Sequence, residues 1–234
     1  MDFYILQDKG FALGNFVNCT PTIRHLFEVH GQKIPVLFQT EYVAECYKNS
    51  PYIKRITKPQ GFKLFGSDMI NRANTCKDSE FISINILGLK TAFKPFIDNV
   101  VPVPDDYGVF VNGSGSEEQS YLEKKLVPFE IQEVIKYNST IPVFGTGSLN
   151  DQNRNIFEGS FGNIRESLSL IAGAKWIITN ATGFYHVAGA MEKNQLALWK
   201  DCLRPRNENR NENAIIANQN DWSEAIIEFL KSNK

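Results

Sequence analysis

Short apolar runs recur along the chain at strand length, with amphipathic stretches between them. The runs are FYILQ (3–7), PVLFQT (35–40), FISINIL (81–87), YGVFVN (107–112), IPVFG (141–145), KWIIT (175–179) and QLALW (195–199). Several are apolar throughout, as strands covered on both faces are. Between them, Ile23, Leu26, Phe27 and His30 fall at i, i+3, i+4 and i+7, and Ile164, Leu168, Ile171 and Ala172 at i, i+4, i+7 and i+8. These are helical spacings. A β-α-β rhythm predicts an α/β protein with mostly parallel sheets and helices on both faces. Two prolines and two acids in VVPVPDDYG (100–108) mark a boundary between two sets of strands. The expected division is 1–104, 105–220, and a final helix at 221–234. That helix, DWSEAIIEFLK, opens with a capping-box pattern at Asp221 and Glu224 and carries Trp222, Ala225, Ile226, Phe229 and Leu230 on one face.

Two junctions hold residue types suited to chemistry. After the first strand, GFALGNFVNCTP (10–21) places Gly10 and Gly14 where a strand hands over to a helix, with Thr20 expected as the helix cap and Pro21 in its first turn. The spacing is neither a dinucleotide fingerprint nor a P-loop. After KWIIT, NATGFYHVAGAM (180–191) offers Thr182 as a cap for a helix whose first amides, on Gly183, Phe184 and Tyr185, suit an anion, with His186 on the same turn.

Composition changes little in this picture. The 234 residues include 42% hydrophobic and 22% charged positions with a net charge of −1, as in an ordinary globular protein. The start carries an acid at Asp2 and no basic region, and no apolar run approaches membrane-spanning length. A cytoplasmic protein without a transmembrane segment is expected. Cys19, Cys46, Cys76 and Cys202 are scattered, and no D-x-D motif is present. Neither a disulfide framework nor a metal site is expected. Charge is uneven locally: residues 48–77 hold seven Lys or Arg and one acid, Asp68. Such a stretch suits a phosphorylated glycan or a nucleic-acid backbone, with Tyr52, Phe62 and Phe65 for stacking.

Taken in order, five segments resemble the heptosyltransferase-like glycosyltransferases of family nine, in a short form. They are LGNFVNCTPTIRHL (13–26), NSPYI (49–53), VNGSG (111–115) followed by Lys124 and Lys125, IPVFGTGS (141–148), and SLSLIAGAKWIITNATGFYHVAGAM (167–191). The resemblance implies a GT-B fold, two Rossmann-like lobes with a cleft between them. The first lobe would hold a hydroxyl acceptor and the second a nucleotide-diphosphate sugar as co-substrate, with the last helix packing back towards the first lobe. It implies inverting, metal-independent transfer, with no cofactor beyond the co-substrate. Carried over by position, Gly145, Gly147, Thr182, Gly183, Phe184 and His186 would bind the donor, and Lys124 or Lys125 would supply positive charge. Gly14 and Asn15 would face the acceptor, joined by Lys54, Arg55, Lys58 and Lys63 from the basic stretch.

The chain departs from the family pattern at two positions. Asn15 stands where many members have the aspartate proposed as general base, and Ala181 where an acid often precedes the Thr-Gly pair. Asp8, at the end of the first strand, is the replacement base expected here, since strand ends face ligands in open α/β sheets. The acceptor is a cell-surface glycan core or a hydroxymethylated DNA base of the kind phages modify. Two competing classes remain. A catalytically degenerate nucleotide-sugar-binding module is suggested by Asn15, and an unrelated nucleotide-dependent oxidoreductase is disfavoured by the missing fingerprint.

Overall fold

The computed structural model describes residues 1–8, 12–66, 88, 93–113, 126–148, 150–180, 182–200 and 213–234. The chain divides into two units between Asn99 and Val100. The expected strand at 81–87 lies outside the described residues, as do Gly10, Cys76, Lys124, Lys125, Ala181 and Cys202. Among the described residues, no helix is long and apolar enough to cross a membrane.

The first unit is built on β1 (Phe3–Gln7), α1 (Leu13–His30), β2 (Ile34–Phe38), α2 (Glu41–Cys46), β3 (Ile53–Ile56) and β4 (Phe62–Phe65). Its strands form a parallel sheet in the order β3-β2-β1-β4, with Ile5 opposite Val36 and Ile34 opposite Ile53. Ile5, Ile34 and Val36 have no exposed surface, nor do Phe16, Val17 and Ile23 of α1. Burying side chains of this size is worth about 1.5–3 kcal/mol each.

Helix α1 corrects one expectation. It begins at Leu13 rather than at Pro21, so Thr20 is not its cap and Pro21 lies in its interior. A proline there removes the N–H that would bond the carbonyl four residues back, which is that of Val17. The Thr20 hydroxyl donates to that carbonyl instead, at 2.7 Å. The same oxygen accepts from the Phe96 N–H at 2.9 Å, tying segment 93–98 to the middle of the helix. That segment is also held by rings, with Phe96 4.9 Å from Tyr52 and 6.2 Å from Tyr47. Ser50 Oγ donates to Asp98 Oδ2 at 2.6 Å. Burial pushes the Asp98 carboxyl above the usual range, opposed by that hydrogen bond and by the Arg24 charge.

The second unit contains β5 (Gly108–Val111), α3 (Phe129–Asn138), β6 (Val143–Gly147), a 3-10 turn (Gln152–Arg154), β7 (Gly159–Phe161), α4 (Ile164–Gly173), β8 (Trp176–Asn180), α5 (Gly183–Ala190), β9 (Gln195–Trp199), β10 (Ala214–Asn218) and α6 (Trp222–Ser232). Its six strands are parallel, in the order β10-β9-β8-β5-β6-β7. Strand β9 shows how the two faces are filled. Leu196 and Leu198 join Phe110, Trp176, Ile178 and the residues of α6 in one core cluster, while Ala197 and Trp199 pack with Tyr185 of α5 in another. Side chains alternate across a strand, so helices cover both faces, as the continuous apolar runs predict.

Helix α6 corrects a second expectation. Trp222, Ile226, Phe229 and Leu230 are buried in the core of the second unit, where α6 meets α3, β9 and β10. Its apolar face is the one the spacing predicts, but its destination is the sheet it follows in sequence. The Asp221 and Glu224 capping box does not form, because Asp221 closes a 3-10 turn (Gln219–Asp221) and its side chain makes no cap hydrogen bond.

Candidate functional site

In an open parallel sheet, ligands bind beyond the carboxyl ends of the strands where the strand order reverses. In the second unit the chain runs outward from β5 to β6 and β7, then returns to β8 and proceeds to β9 and β10. The reversal therefore lies between β5 and β8. Asn112 and Gly113 follow β5, and Asn180 ends β8. Asn180 Nδ2 donates to the Gly113 carbonyl at 3.1 Å, bridging the two strand ends at the reversal.

From β8 the chain enters α5 through Thr182, whose extended backbone and side-chain oxygen make it the expected cap. Its hydroxyl accepts from the Phe184 N–H at 3.2 Å and its carbonyl from the Tyr185 N–H at 3.1 Å. Two of the three amides expected to face an anion are thus held by Thr182 itself in this state. Gly183 opens the helix. His186 is half-buried on the first turn, its ring 5.2 Å from that of Tyr185, which in turn stacks edge-on to Trp199 at 4.7 Å. Thr182, Gly183, Phe184 and His186 thus share one helix terminus at the β8 end.

The glycines of β6 have different surroundings. Gly145 lies inside the strand, and a Cβ there would press on Phe157 and Phe161. Gly147 ends β6 at φ +144°, and Gly113 follows β5 at φ +145°. Both conformations exclude side-chain-bearing residues. A Cβ on either glycine would overlap the Asp151 carboxylate. Asp151 is 3% exposed. Its Oδ2 accepts from the Ser148 N–H, and its Oδ1 lies 3.8 Å from the Arg154 guanidinium. Behind it, the Arg154 carbonyl accepts from Asn112 Nδ2 at 2.6 Å and Gln132 Nε2 at 2.8 Å. Asp151, Asn112, Gln132 and Asn180 were not among the residues predicted from sequence. Asn112 and Asn180 fall inside the segments VNGSG and NATGFYHVAGAM, but nothing in those segments tells a bridging amide from its neighbours, and Asp151 and Gln132 lie in no motif at all.

In the first unit, Asp8 follows β1 and Asn15 lies in the opening turn of α1, half-buried beside the buried Gly14. The end of β1 is fixed by Gln7, which is fully buried. Its Nε2 donates to the Asp8 carbonyl at 2.7 Å and to Thr40 Oγ1 at 3.2 Å, and its Oε1 accepts from the Thr40 N–H at 3.1 Å. This ties the carboxyl ends of β1 and β2 together and fixes the backbone from which Asp8 projects.

Among the described residues, the basic side chains assigned to the acceptor do not gather. Lys54 and Arg55 lie on β3 and Lys63 on β4, the two opposite edges of the four-stranded sheet. Three strand spacings separate those edges, about 14 Å at 4.8 Å each. Lys58 is exposed on the connection between them. Arg55 is engaged in a two-pronged bond to Glu41, at 2.9 and 2.6 Å, which holds that carboxyl below its usual range. Among the described residues, no group of three His, Cys, Asp or Glu side chains is placed to hold a metal ion.

Comparison with solved structures places this arrangement. The heptosyltransferase WaaC of E. coli, solved with ADP-2-deoxy-2-fluoro heptose, superposes with a TM-score of 0.69 at 11% identity, and the match covers 100% of both chains. The chain has the fold of the heptosyltransferases. A glycosyl transferase of family 9 from Veillonella parvula gives a TM-score of 0.65 at 12% identity, covering 96% of this chain and 88% of that one. The dodecameric, iron-containing heptosyltransferase TibC of enterotoxigenic E. coli gives 0.64 at 14% identity, with 92% and 62% covered. No family model matches the sequence, and no curated protein matches it. At 11–14% identity the likeness to the heptosyltransferase fold resides in the backbone.

Proposed function

We propose that the protein is a glycosyltransferase that moves a sugar from a nucleoside diphosphate to a hydroxyl acceptor. The observation that carries this reading is the heptosyltransferase fold over the whole chain, combined with a Thr182-capped helix terminus at the strand-order reversal of the second unit. The solved relative WaaC holds an ADP-linked sugar analogue. In this chain the corresponding ligand is a nucleotide-diphosphate sugar on the second unit. The Gly183 amide, the Thr182 hydroxyl and His186 meet its diphosphate, where helix dipole and N–H groups stabilise negative charge. Lys124 or Lys125 adds a cation.

The acceptor belongs to the first unit. Asp8 takes the hydroxyl proton, the acceptor oxygen bonds to the anomeric carbon, and the bond from that carbon to the diphosphate oxygen breaks with its electron pair leaving on the diphosphate. Attack opposite the leaving group inverts the centre. Asn15 cannot take a proton and orients the hydroxyl by hydrogen bonding. No metal is assigned a role in this scheme, because helix N–H groups and cations meet the leaving charge. Of the two acceptors, a glycan is favoured over DNA. Binding to a nucleic-acid backbone draws on a continuous basic surface, and Lys54, Arg55 and Lys63 are divided between two sheet edges. A binding module without turnover is the second reading, favoured by Asn15 in the usual base position.

The test is release of nucleoside diphosphate from ADP-, UDP- and GDP-sugars in the presence of lipopolysaccharide-type glycan acceptors. Wild type is expected to turn over one donor with or without EDTA, with Gly183→Arg and Asp8→Asn both inactive. Full activity in Gly183→Arg would overturn the donor site. EDTA-sensitive turnover restored by a divalent ion would overturn the metal-free scheme. Donor binding without turnover would select the binding module.

A further inference from the structure

We infer that Asp151 is a positioning residue of the nucleotide-binding end of the second unit, its carboxylate holding the ends of β5 and β6 in the arrangement that accepts the ligand. The inference rests on the reading of that unit as the donor-binding one. Gly147 is expected from sequence to face the donor, and Gly113 lies at the neighbouring strand end. In the structure, the space their missing Cβ atoms leave is occupied by the protein's own carboxylate. Both glycines also have positive φ angles, so each is required twice over.

A buried carboxylate is costly unless its charge is met by hydrogen bonds or an opposite charge. Asp151 obtains both, from the Ser148 N–H and the Arg154 guanidinium. The connections close into a ring. Asp151 packs on Gly113, Gly113 follows Asn112, Asn112 donates to the Arg154 carbonyl, and Arg154 ends the 3-10 turn that follows Asp151. Asn180 extends the ring to β8 through the Gly113 carbonyl. One side chain therefore sets the relative positions of three strand ends, and it does so at the sheet's carboxyl end, where ligands bind, rather than within its hydrophobic core. Residues that orient a site through such contacts act on its geometry without touching the ligand.

The test compares wild type, Asp151→Ala and Asp151→Asn by calorimetric titration with ADP, UDP and GDP, alongside thermal melts and hydrogen exchange at the Ser148 amide. Asn keeps the shape and an oxygen to accept from Ser148. The expected result is a Kd at least tenfold weaker in Asp151→Ala, a Kd within about threefold of wild type in Asp151→Asn, and faster Ser148 exchange only in the alanine variant. Should Asp151→Ala fail to fold, a wild-type-like Kd with a protected Ser148 amide in Asp151→Asn supports the role. Loss of binding in Asp151→Asn, or unchanged binding in Asp151→Ala, overturns it while leaving the donor reading intact. Absence of nucleotide binding in wild type overturns the donor reading and this inference together.

Discussion

Replacing Thr20 by valine removes one oxygen of nearly the same volume and, on the structure, two hydrogen bonds. Thr20 is fully buried. Its hydroxyl fills the carbonyl of Val17 that Pro21 leaves without its helical donor, and it accepts from the Phe96 N–H. In Thr20→Val the buried Val17 carbonyl is left unsatisfied and the half-buried Phe96 N–H loses its acceptor. A buried acceptor left unmet costs about 1–3 kcal/mol and loss of an ordinary, part-buried hydrogen bond about 1 kcal/mol, so the pair is expected to cost about 2–4 kcal/mol. For a chain of this size each kcal/mol lowers Tm by about 2–4 °C, giving a fall of about 4–16 °C. Thr20→Ser, which keeps the hydroxyl and loses one methyl group, is expected to cost only about 1 kcal/mol. The decisive comparison is a double-mutant cycle with Pro21→Ala. Alanine restores an N–H able to reach the Val17 carbonyl, so Thr20→Val costs less in that background, by about 1 kcal/mol of coupling. Urea unfolding of the four proteins measures it. Strict additivity would refute the claim that the hydroxyl substitutes for the proline's missing donor.

Two further outcomes follow from packing and charge. Burial raises the Asp98 carboxyl pKa in the folded state, so the folded protein binds that proton more readily than the unfolded chain, and stability from this group falls as pH rises from the ordinary carboxylate pKa through the raised one. Asp98→Asn is therefore expected to be more stable than wild type near neutrality and to flatten the Tm profile above the ordinary carboxylate pKa. Thermal melts across that range test the sign, and a destabilised Asp98→Asn at pH 7 would contradict it. Leu230→Ala removes a side chain 4% exposed in the core of the second unit and is expected to cost about 2–5 kcal/mol. The loss of hydrogen-exchange protection belongs in β9 and β10. Protection lost in β1 and β2 instead would contradict the placement of α6.

The continuous apolar runs 3–7, 175–179 and 195–199 could be read as strands because both faces of the parallel sheets are covered. Strands β3, β4, β7 and β10 were not legible. IKRI and FKLF show exposed positions at the sheet edges, GSF is three residues long, and AIIAN follows an Asn-rich stretch that reads as loop. The start of α1 was misplaced because Thr-Pro is a strong local signal for a helix start, whereas here a tertiary contact from Phe96 and a hydroxyl-to-carbonyl bond make an internal proline tolerable. At the site, the Thr182 cap was legible because capping is local. The role of Gly113 was not, since what fills its missing Cβ is a carboxylate 38 residues further along the chain. The return of α6 to its own unit was likewise beyond the spacing, which specifies an apolar face but not its partner.

The central claim, that the second unit binds a nucleotide-diphosphate sugar, is tested most directly by thermal shift with UDP, GDP, ADP and CMP and their sugar conjugates, repeated on Gly183→Arg. A ligand at a hundred times its Kd stabilises the native state by about 2.7 kcal/mol, or about 5–10 °C here. The account predicts a shift of that order with the diphosphates of one nucleobase and none in Gly183→Arg. Equal shifts in both proteins, or no shift with any donor, would contradict it.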